Sequence, residues 1–233
     1  MLSVRNLNAK YGGAHILHNV ALDLGENEVV ALLGRNGAGK STTMKSIMGM
    51  VRQRSGKVRY DDRDIITRPP HMICRAGIGY VPEERRIFSD LTVEENLEVG
   101  RRERRKDAPE WTLEHLFELF PNLKERRRNL GWQLSGGEQQ MLTIARTLMG
   151  NPKLVLLDEP SEGIAPVIVE QMAYVIAELK REGLSILISE QNLHFARLVS
   201  DRAYIIEKGQ VCYEGTFTDL DENPEISQKY LAV

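Results

Sequence analysis

Hydrophobic positions in the first third of the chain alternate with the period expected of β-strands. Val20, Leu22 and Leu24 alternate with polar residues, which predicts a half-buried strand. The continuous β-prone run Glu28–Leu33 ends in a glycine-rich turn, and a helix is predicted after it at Lys40–Met50. The other strands predicted in this part are Leu2–Leu7, Lys57–Tyr60 and Gly79–Val81.

From about residue 84 the hydrophobic spacing changes to that of helices. Thr92 and Glu95 have the spacing of a capping box, which predicts a helix start there. A second amphipathic helix is predicted from apolar residues at i, i+3, i+4 and i+7, namely Leu113, Leu116, Phe117 and Phe120. Residues 84–150 are therefore predicted to form a mostly helical insertion.

After residue 150 strands and helices alternate. Strands are predicted at Lys153–Leu157, Leu184–Ile188, Ala203–Ile206 and Gln210–Tyr213, with helices starting at Pro166, Leu193 and Glu225. This alternation predicts an α/β fold with a mainly parallel sheet covered by helices, preceded by an N-terminal antiparallel β portion. We interpret residues 1–233 as one domain, with a core at about 1–83 and 151–233 and a helical subdomain at about 84–150.

Composition narrows the function classes only slightly. The 31 basic and 33 acidic residues give a net charge of −2, so bulk charge does not favour binding to nucleic acid. Cys74 and Cys212 lie far apart without metal-ligand spacing, which favours reduced thiols in a cytosolic protein. No apolar run approaches the ~20 residues of a membrane span, and no signal-peptide pattern is expected at the N-terminus.

Two basic runs, Arg101–Lys106 and Lys124–Arg128, do not by themselves favour a nucleic-acid-binding function. We interpret them as solvated helix faces with local acidic partners, and contact with loops of a membrane protein or with lipid headgroups stays open. No aromatic residues lie between the arginines, as a base-stacking surface would require.

A glycine-rich segment between a predicted strand and a predicted helix matches the phosphate-loop pattern G-x-x-x-x-G-K-[ST]. Small residues are needed here because backbone N–H groups close around phosphate oxygens, and the helix dipole faces the same anion. Lys40 is expected to reach the β- and γ-phosphates, and the Ser41 hydroxyl is expected to bind Mg²⁺. The eight residues are Gly34, Arg35, Asn36, Gly37, Ala38, Gly39, Lys40 and Ser41.

Two carboxylates, Asp158 and Glu159, follow directly after the apolar run Leu154–Leu157. In an open α/β sheet, ligands bind at the carboxyl ends of strands. We therefore expect Asp158 to hold Mg²⁺ through water and Glu159 to polarise the water that attacks the γ-phosphate. An acidic pair that stands alone after a strand is more often a helix cap or a turn, but the phosphate loop favours the catalytic interpretation.

The segment Leu134–Gln140, with the sequence LSGGEQQ, lies just before a long predicted helix. Its serine is placed to cap the helix, and its paired glycines leave N–H groups open to a second anion. With the phosphate loop and the acidic pair, it resembles the signature of ABC ATPases, and the resemblance covers about residues 2–215. In that family the signature of one subunit contacts the γ-phosphate held by the other, so two ATP molecules lie in a dimer. The resemblance implies nucleotide contacts for Ser135, Gly136, Gly137 and Glu138.

Other positions match the family one at a time. Tyr11 resembles the aromatic residue that stacks on adenine, and Thr42, next to the phosphate loop, is assigned to nucleotide binding on the same resemblance. Glu83 stands where most relatives have a glutamine, in the loop that links the core to the helical subdomain. A glutamate there can still bind Mg²⁺ or orient water, and it adds negative charge near the phosphates.

Two departures from the family pattern follow the predicted strands. The loop Ser161–Pro166 would cross the dimer interface and lacks the leucine-aspartate ending that is commonest there. Gln191 stands where most relatives carry a histidine that senses the γ-phosphate, and we assign it to catalysis with Glu159. An amide can donate a hydrogen bond to phosphate but cannot carry a proton charge. His194 is not expected to substitute, because a helical turn points it elsewhere.

Three stretches together resemble one subgroup: Pro82–Phe88, Gly136–Met141 and Glu190–Asn192. This subgroup is one of the two ATPases of bacterial importers for branched-chain amino acids, with sister systems for amides and urea. It implies ATP and Mg²⁺ as cofactors, and a position on the cytoplasmic face of the inner membrane. Its implied partners are two transmembrane permeases, a second related ABC ATPase and, indirectly, a periplasmic solute-binding protein. A homodimer stays open, and no nucleic acid is expected.

Three alternatives remain at this point. An ABC ATPase acting on nucleic acid or ribosomes usually carries two cassettes, coiled coils or basic tails, which this sequence lacks. A P-loop kinase has no use for Leu134–Gln140. A regulatory nucleotide-binding subunit with little catalysis is conceivable because of Gln191.

Overall fold

The computed structural model describes residues 1–106 and 108–231. Residues 107, 232 and 233, which the predicted domain boundaries include, lie outside the described residues. The strands are β1 (Leu2–Tyr11), β2 (Ala14–Leu24), β3 (Val29–Leu33), β4 (Gln53–Tyr60), β5 (Arg63–Asp64), β6 (Ile78–Val81), β7 (Leu154–Asp158), β8 (Ser185–Glu190), β9 (Arg202–Glu207) and β10 (Gln210–Thr216).

The helices of the described residues are interspersed among these strands along the chain. They are α1 (Lys40–Ile47), α2 (Pro70–Ala76), α3 (Val93–Gly100), α4 (Leu113–Leu119), α5 (Pro121–Glu125), α6 (Gly136–Leu148), α7 (Pro166–Arg181), α8 (Leu193–Val199), α9 (Phe217–Glu222) and α10 (Pro224–Tyr230), with a 3₁₀ turn at Gly131–Gln133.

The strands form two sheets. The larger sheet has the order β10-β9-β3-β8-β7-β6, and its pairs are parallel except for the β9–β10 hairpin. The smaller sheet has the order β2-β1-β4-β5 and is antiparallel. The predicted fold class, a mainly parallel α/β core with an N-terminal antiparallel portion, is therefore confirmed.

β3 lies at the centre of the larger sheet and divides the core into two layers. Val29, Ala31 and Leu33 pack with the helices on one face, whereas Val30 and Leu32 pack with α1 and the antiparallel sheet on the other. Successive side chains of a strand point to opposite faces, so all five residues are buried. This double burial explains why β3 is a continuous apolar run.

The helices α3 to α6 lie between residues 93 and 148, where a helical insertion is predicted. Thr92 caps α3 in the expected capping box with Glu95, and α6 is capped in the same way by Ser135 and Glu138. The positions chosen for the subdomain boundaries stay a prediction. Among the described residues, no helix has the length and apolar character that crossing a membrane requires.

The structure corrects several element bounds. The helix predicted to run to Met50 ends at Ile47, and Gly49 follows with a φ of 74°, a conformation that favours a helix end. The helix predicted through Phe120 ends at Leu119, because Pro121 starts α5 and cannot donate to a preceding turn. Helices α2 and α9 were not among the predicted elements.

The basic runs make ion pairs with acidic residues, as expected, but the prediction that they form helix faces is wrong. Residues 101–106 lie between α3 and α4, and α5 contains only Lys124 and Glu125 of the second run. Arg101 pairs with Glu98, and Arg127 pairs with Glu94. The other ion pairs of these runs join Arg104 to Glu110 and Arg126 to Glu138. Both cysteines are free and exposed.

Candidate functional site

The predicted site residues of the core lie at one edge of the larger sheet. The phosphate loop follows β3, Asp158 ends β7, and Gln191 follows β8. Glu83 lies two residues beyond β6. Because these four strands are parallel, their carboxyl ends meet at the edge where ligands bind in open α/β sheets.

Two glycines of the phosphate loop are required by its geometry. Gly39 has a φ of 114° and precedes α1 as its N-cap, a conformation that side chains rarely adopt. A Cβ on Gly34 would lie 2.5 Å from the Ile206 carbonyl oxygen, so the loop could not pass so close to β9 with any other residue. Both positions therefore require glycine for this course of the loop.

Lys40 is buried at the start of α1. Its ammonium donates to the carbonyl oxygens of Gly34, at 2.6 Å, and Arg35, at 3.1 Å. It also lies 3.2 Å from a carboxylate oxygen of Glu159. Lys40 therefore bridges the phosphate loop to the acidic end of β7, and a phosphate group would compete with Glu159 for it.

Asp158 is held by hydroxyl donors from two neighbouring strands. The Tyr80 phenol donates to one carboxylate oxygen and the Ser189 hydroxyl to the other, both at 2.8 Å. Burial, and next the charge of Asp158, raise the pKa of Tyr80, so the phenol stays protonated and can donate. Each carboxylate oxygen keeps a lone pair for a metal-bound water.

Glu159 is placed by an unusual backbone and by Gln191. Its φ of 47° lies in the left-handed region, where residues other than glycine are uncommon and concentrate at functional sites. Its backbone N–H donates to the Ser189 hydroxyl and carbonyl oxygens, both at 3.1 Å. The Gln191 amide donates to the Glu159 carboxylate at 3.0 Å, so the two predicted catalytic residues are in contact.

The acidic groups around this edge exceed the nearby cations. Burial opposes ionisation of Glu159, but its hydrogen bond with Glu162 and the charge of Lys40 outweigh it and hold the pKa below its usual value. The hydrogen bond with Glu159, and then burial, raise the pKa of Glu162 to about 7. Burial, and next the charges of Glu159 and Asp158, raise the pKa of Glu83. Among the described residues no three of these groups are arranged as metal ligands, so a divalent cation here would need further oxygen ligands from phosphates and water.

The phosphate loop opens into a cleft of 270 Å³. Tyr11 lies at its edge with 49% of its surface exposed, as a residue that stacks on a planar base would. The cleft is lined by Tyr11, Ile16, Gly37, Gly39, Lys40, Ser41, Thr42 and Glu159. Of the other predicted nucleotide contacts, Ala38 is buried beneath the loop, and Arg35 and Asn36 are exposed on it.

The signature residues lie apart from this cleft. Ser135 accepts from the Glu138 N–H, and Glu138 accepts from the Ser135 N–H and pairs with Arg126 at 2.6 Å. Among the described residues, none of Ser135–Glu138 lines the cleft of its own chain. Any nucleotide contact made by the signature is therefore expected to involve a second subunit.

Several contacts at the site were not predicted. Ser189 and Glu190 both follow the apolar part of β8, and Ser189 pairs in register with Asp158. Arg85 reaches from the loop after β6 to the Gly163 carbonyl, at 3.4 Å. The sequence signal for the contacts of Ser189 and Glu190 was that β8 ends in polar residues, as β7 does. His194 is exposed in the first turn of α8.

The chain is similar to known proteins over almost its whole length. The model of the ABC transporter family matches residues 17–162. The high-affinity branched-chain amino acid transport ATP-binding protein BraG of Pseudomonas aeruginosa is 43% identical over 231 residues, covering 99% of both chains. The lipopolysaccharide export system ATP-binding protein LptB of Haemophilus influenzae is 39% identical, covering 99% of this chain and 97% of its own. The crystal structure of a nucleotide-free ATP-binding cassette from an ABC transporter superposes with a TM-score of 0.83 at 26% identity, covering 98% of this chain and 97% of that one.

Proposed function

Because the chain belongs to the ABC transporter family, we propose that it is the ATP-hydrolysing subunit of a membrane importer for branched-chain amino acids. The observation that carries the proposal is the convergence of Lys40, Asp158, Glu159 and Gln191 at one sheet edge, with Lys40 and Glu159 in contact. Such a site offers phosphate binding and a water-activating carboxylate in one place.

In the proposed reaction, ATP binds with its base against Tyr11 and its phosphates in the loop. The γ-phosphate draws the Lys40 ammonium away from Glu159, which frees that carboxylate. Glu159 then orients a water molecule, whose oxygen bonds to the γ-phosphorus as the bond to the bridging oxygen breaks. The proton of the water passes to Glu159. This order couples activation of the base to arrival of the substrate.

Ser41 and Asp158 would hold Mg²⁺, with Glu83 directed to the same region. When bound, the ion neutralises charge that develops on the phosphate oxygens. Gln191 keeps the Glu159 carboxylate in place through its amide N–H, and the same amide can donate to a phosphate oxygen.

The signature residues would cover the ATP of a second ATPase, which explains why they lie outside the cleft of their own chain. Two permease subunits would complete the transporter, and the chain would lie against the cytoplasmic face of the membrane. A related second ATPase is the proposed partner, and a homodimer is the alternative composition.

Import of branched-chain amino acids is supported by the similarity to BraG and by the motifs around Glu83, Glu138 and Gln191. Lipopolysaccharide export is a second candidate, because LptB is 39% identical over almost the whole chain. Import of amides or urea is a further alternative within the same subgroup.

The test is purification of the tagged chain from native membranes in mild detergent, with identification of the proteins that accompany it. Two permeases and a second ATPase would support import, and the accompanying binding protein could then be screened for its solute. Recovery with lipid-export permeases would favour the second candidate. Recovery with ribosomes or nucleic acid alone would contradict both.

A further inference from the structure

Glu190 is a buried glutamate to which the proposed reaction gives no role. It is the last residue of β8 and has only 2% of its surface exposed. Within residues 1–106 and 108–231, no ion pair involves its carboxylate. A buried carboxylate without a cation is costly, so the contacts that keep it there need an explanation.

Those contacts join three segments of the site. One carboxylate oxygen of Glu190 accepts from the Ser161 N–H at 3.0 Å, and the other accepts from the Asn192 N–H at 3.4 Å. Its backbone carbonyl accepts from the Gly34 N–H at 3.3 Å. The phosphate loop, the segment after Glu159 and the segment that carries Gln191 therefore meet at one residue.

The carboxylate is suited to this task in a way that an amide is not. Two backbone N–H groups approach its two oxygens, and both oxygens of a carboxylate accept hydrogen bonds. A glutamine has one acceptor oxygen, so its NH₂ group would face one of these donors. Burial raises the pKa of Glu190 to about 7, although its hydrogen bonds with Ser161 and Asn192 act in the opposite direction.

The two segments held by the side chain also flank the proposed base. Ser161 follows Glu159 by two residues, and Asn192 is adjacent to Gln191, whose amide donates to Glu159. A shift of either segment would move Glu159 or its donor. Misplacement by about 1 Å can lower a catalytic rate by about 100-fold.

Building on the ATPase function proposed above, we propose that Glu190 is a positioning residue for ATP hydrolysis. Its carboxylate fixes the Ser161 and Gln191–Asn192 segments relative to each other and thereby places Glu159. The phosphate loop is held through the Glu190 backbone, which substitution of the side chain leaves in place. The side chain should therefore affect turnover and not nucleotide affinity.

The test compares Glu190→Gln with Ser185→Ala in the purified full-length chain. Ser185 is buried on the same strand and also accepts from a backbone N–H, that of Asn27 at 2.8 Å, but it lies at the far end of β8. The measurements are the Kd of Mg-ATP, kcat for hydrolysis, and hydrogen exchange of the peptide that contains Ser161.

For Glu190→Gln we expect kcat to fall about 10- to 100-fold, Kd to stay within about twofold, and exchange at Ser161 to become faster. Ser185→Ala should lose stability while keeping kcat and Kd. A Glu190→Gln kcat within about twofold of the parent would overturn the proposal, whatever its stability. If Glu190→Gln does not fold, Glu190→Asp, which keeps two oxygens on a shorter stem, is judged by the same criteria. A parent chain that does not bind Mg-ATP would instead refute the proposed function.

Discussion

The ammonium of Lys40 lies 3.2 Å from a carboxylate oxygen of Glu159, and the two side chains are 2% and 6% exposed. The group proposed to bind phosphate is therefore paired with the group proposed to activate water. The pair lowers the availability of both groups until a phosphate displaces the carboxylate. The first two predictions test this relationship.

Glu159→Gln should stop turnover while strengthening ATP binding. The amide cannot accept the proton of water, and loss of a general base lowers rates by about 10²- to 10⁴-fold. The amide also competes less well than a carboxylate for Lys40, so Kd for Mg-ATP should fall. Fluorescence titration with a labelled ATP and a phosphate-release assay measure the two effects. Glu182→Gln, on the surface beside His115, is the control, and equal kcat values for Glu159→Gln and the parent would remove Glu159 from catalysis.

Lys40→Met should abolish ATP binding and also destabilise the fold. Removing one member of a buried pair leaves an uncompensated charge, which costs about 3–5 kcal/mol. Adding Glu159→Gln to Lys40→Met should restore a large part of that stability, because the remaining charge is removed. Urea unfolding of the parent, both single variants and the double variant gives the coupling energy. Additive effects would show that the two groups do not interact in solution.

Tyr11→Ala should weaken ATP binding and leave kcat at saturation unchanged. Stacking of an aromatic ring on a base contributes about 1–3 kcal/mol, so Kd should rise by about tenfold. Tyr11→Phe keeps the ring and should bind like the parent. Tyr174→Ala, an exposed tyrosine on α7, controls for loss of a surface ring. Equal affinities for Tyr11→Ala and Tyr174→Ala would contradict the stacking role.

Stability should depend on the protonation of Glu190. Its pKa is about 7 in the folded chain against an ordinary value of 4.5, so the folded state binds the proton more tightly than the unfolded state. The free energy of unfolding should therefore fall as pH rises through this window, by about 1–3 kcal/mol. Glu162 titrates in the same range, so Glu162→Gln serves as the background.

The measurement is urea unfolding at pH 5 and pH 8 of Glu162→Gln and of Glu162→Gln with Glu190→Gln. The second protein should lose less stability between the two pH values than the first. Glu159 is present in both proteins, so its contribution cancels in the comparison. Identical pH dependence in both proteins would show that Glu190 does not titrate there.

Local patterns predicted the elements of the site but not the contacts between them. The phosphate loop and the pair Asp158–Glu159 are each formed by consecutive residues. Their chemistry follows from residue type and from the apolar strands that precede them. The contacts of Ser189 and Glu190 depend on the register between β7 and β8, which the spacing of residues along one strand does not contain. The left-handed backbone of Glu159 is likewise absent from the local pattern, and its N–H contacts Ser189 on the neighbouring strand.

Helix α9 shows the same limit for the fold. Its capping box uses Thr216 and Asp219, and aspartate at that position is not part of the usual Ser/Thr-x-x-Glu/Gln pattern. Its six residues are too few to show a helical period. Its buried residues Phe217 and Leu220 belong to the hydrophobic core, and such tertiary contacts are not visible in the local sequence.

The position of β3 has a mechanical consequence. Its five side chains enter both core layers, and it hydrogen-bonds to strands on both sides, so its amides should be among the last to exchange with solvent. The phosphate loop therefore follows a strand that is buried on both faces and hydrogen-bonded at both edges. We do not expect β3 to bend when the phosphate loop binds or releases a ligand. We expect conformational change during the reaction to occur in parts of the assembly that are less firmly held, while β3 keeps its position.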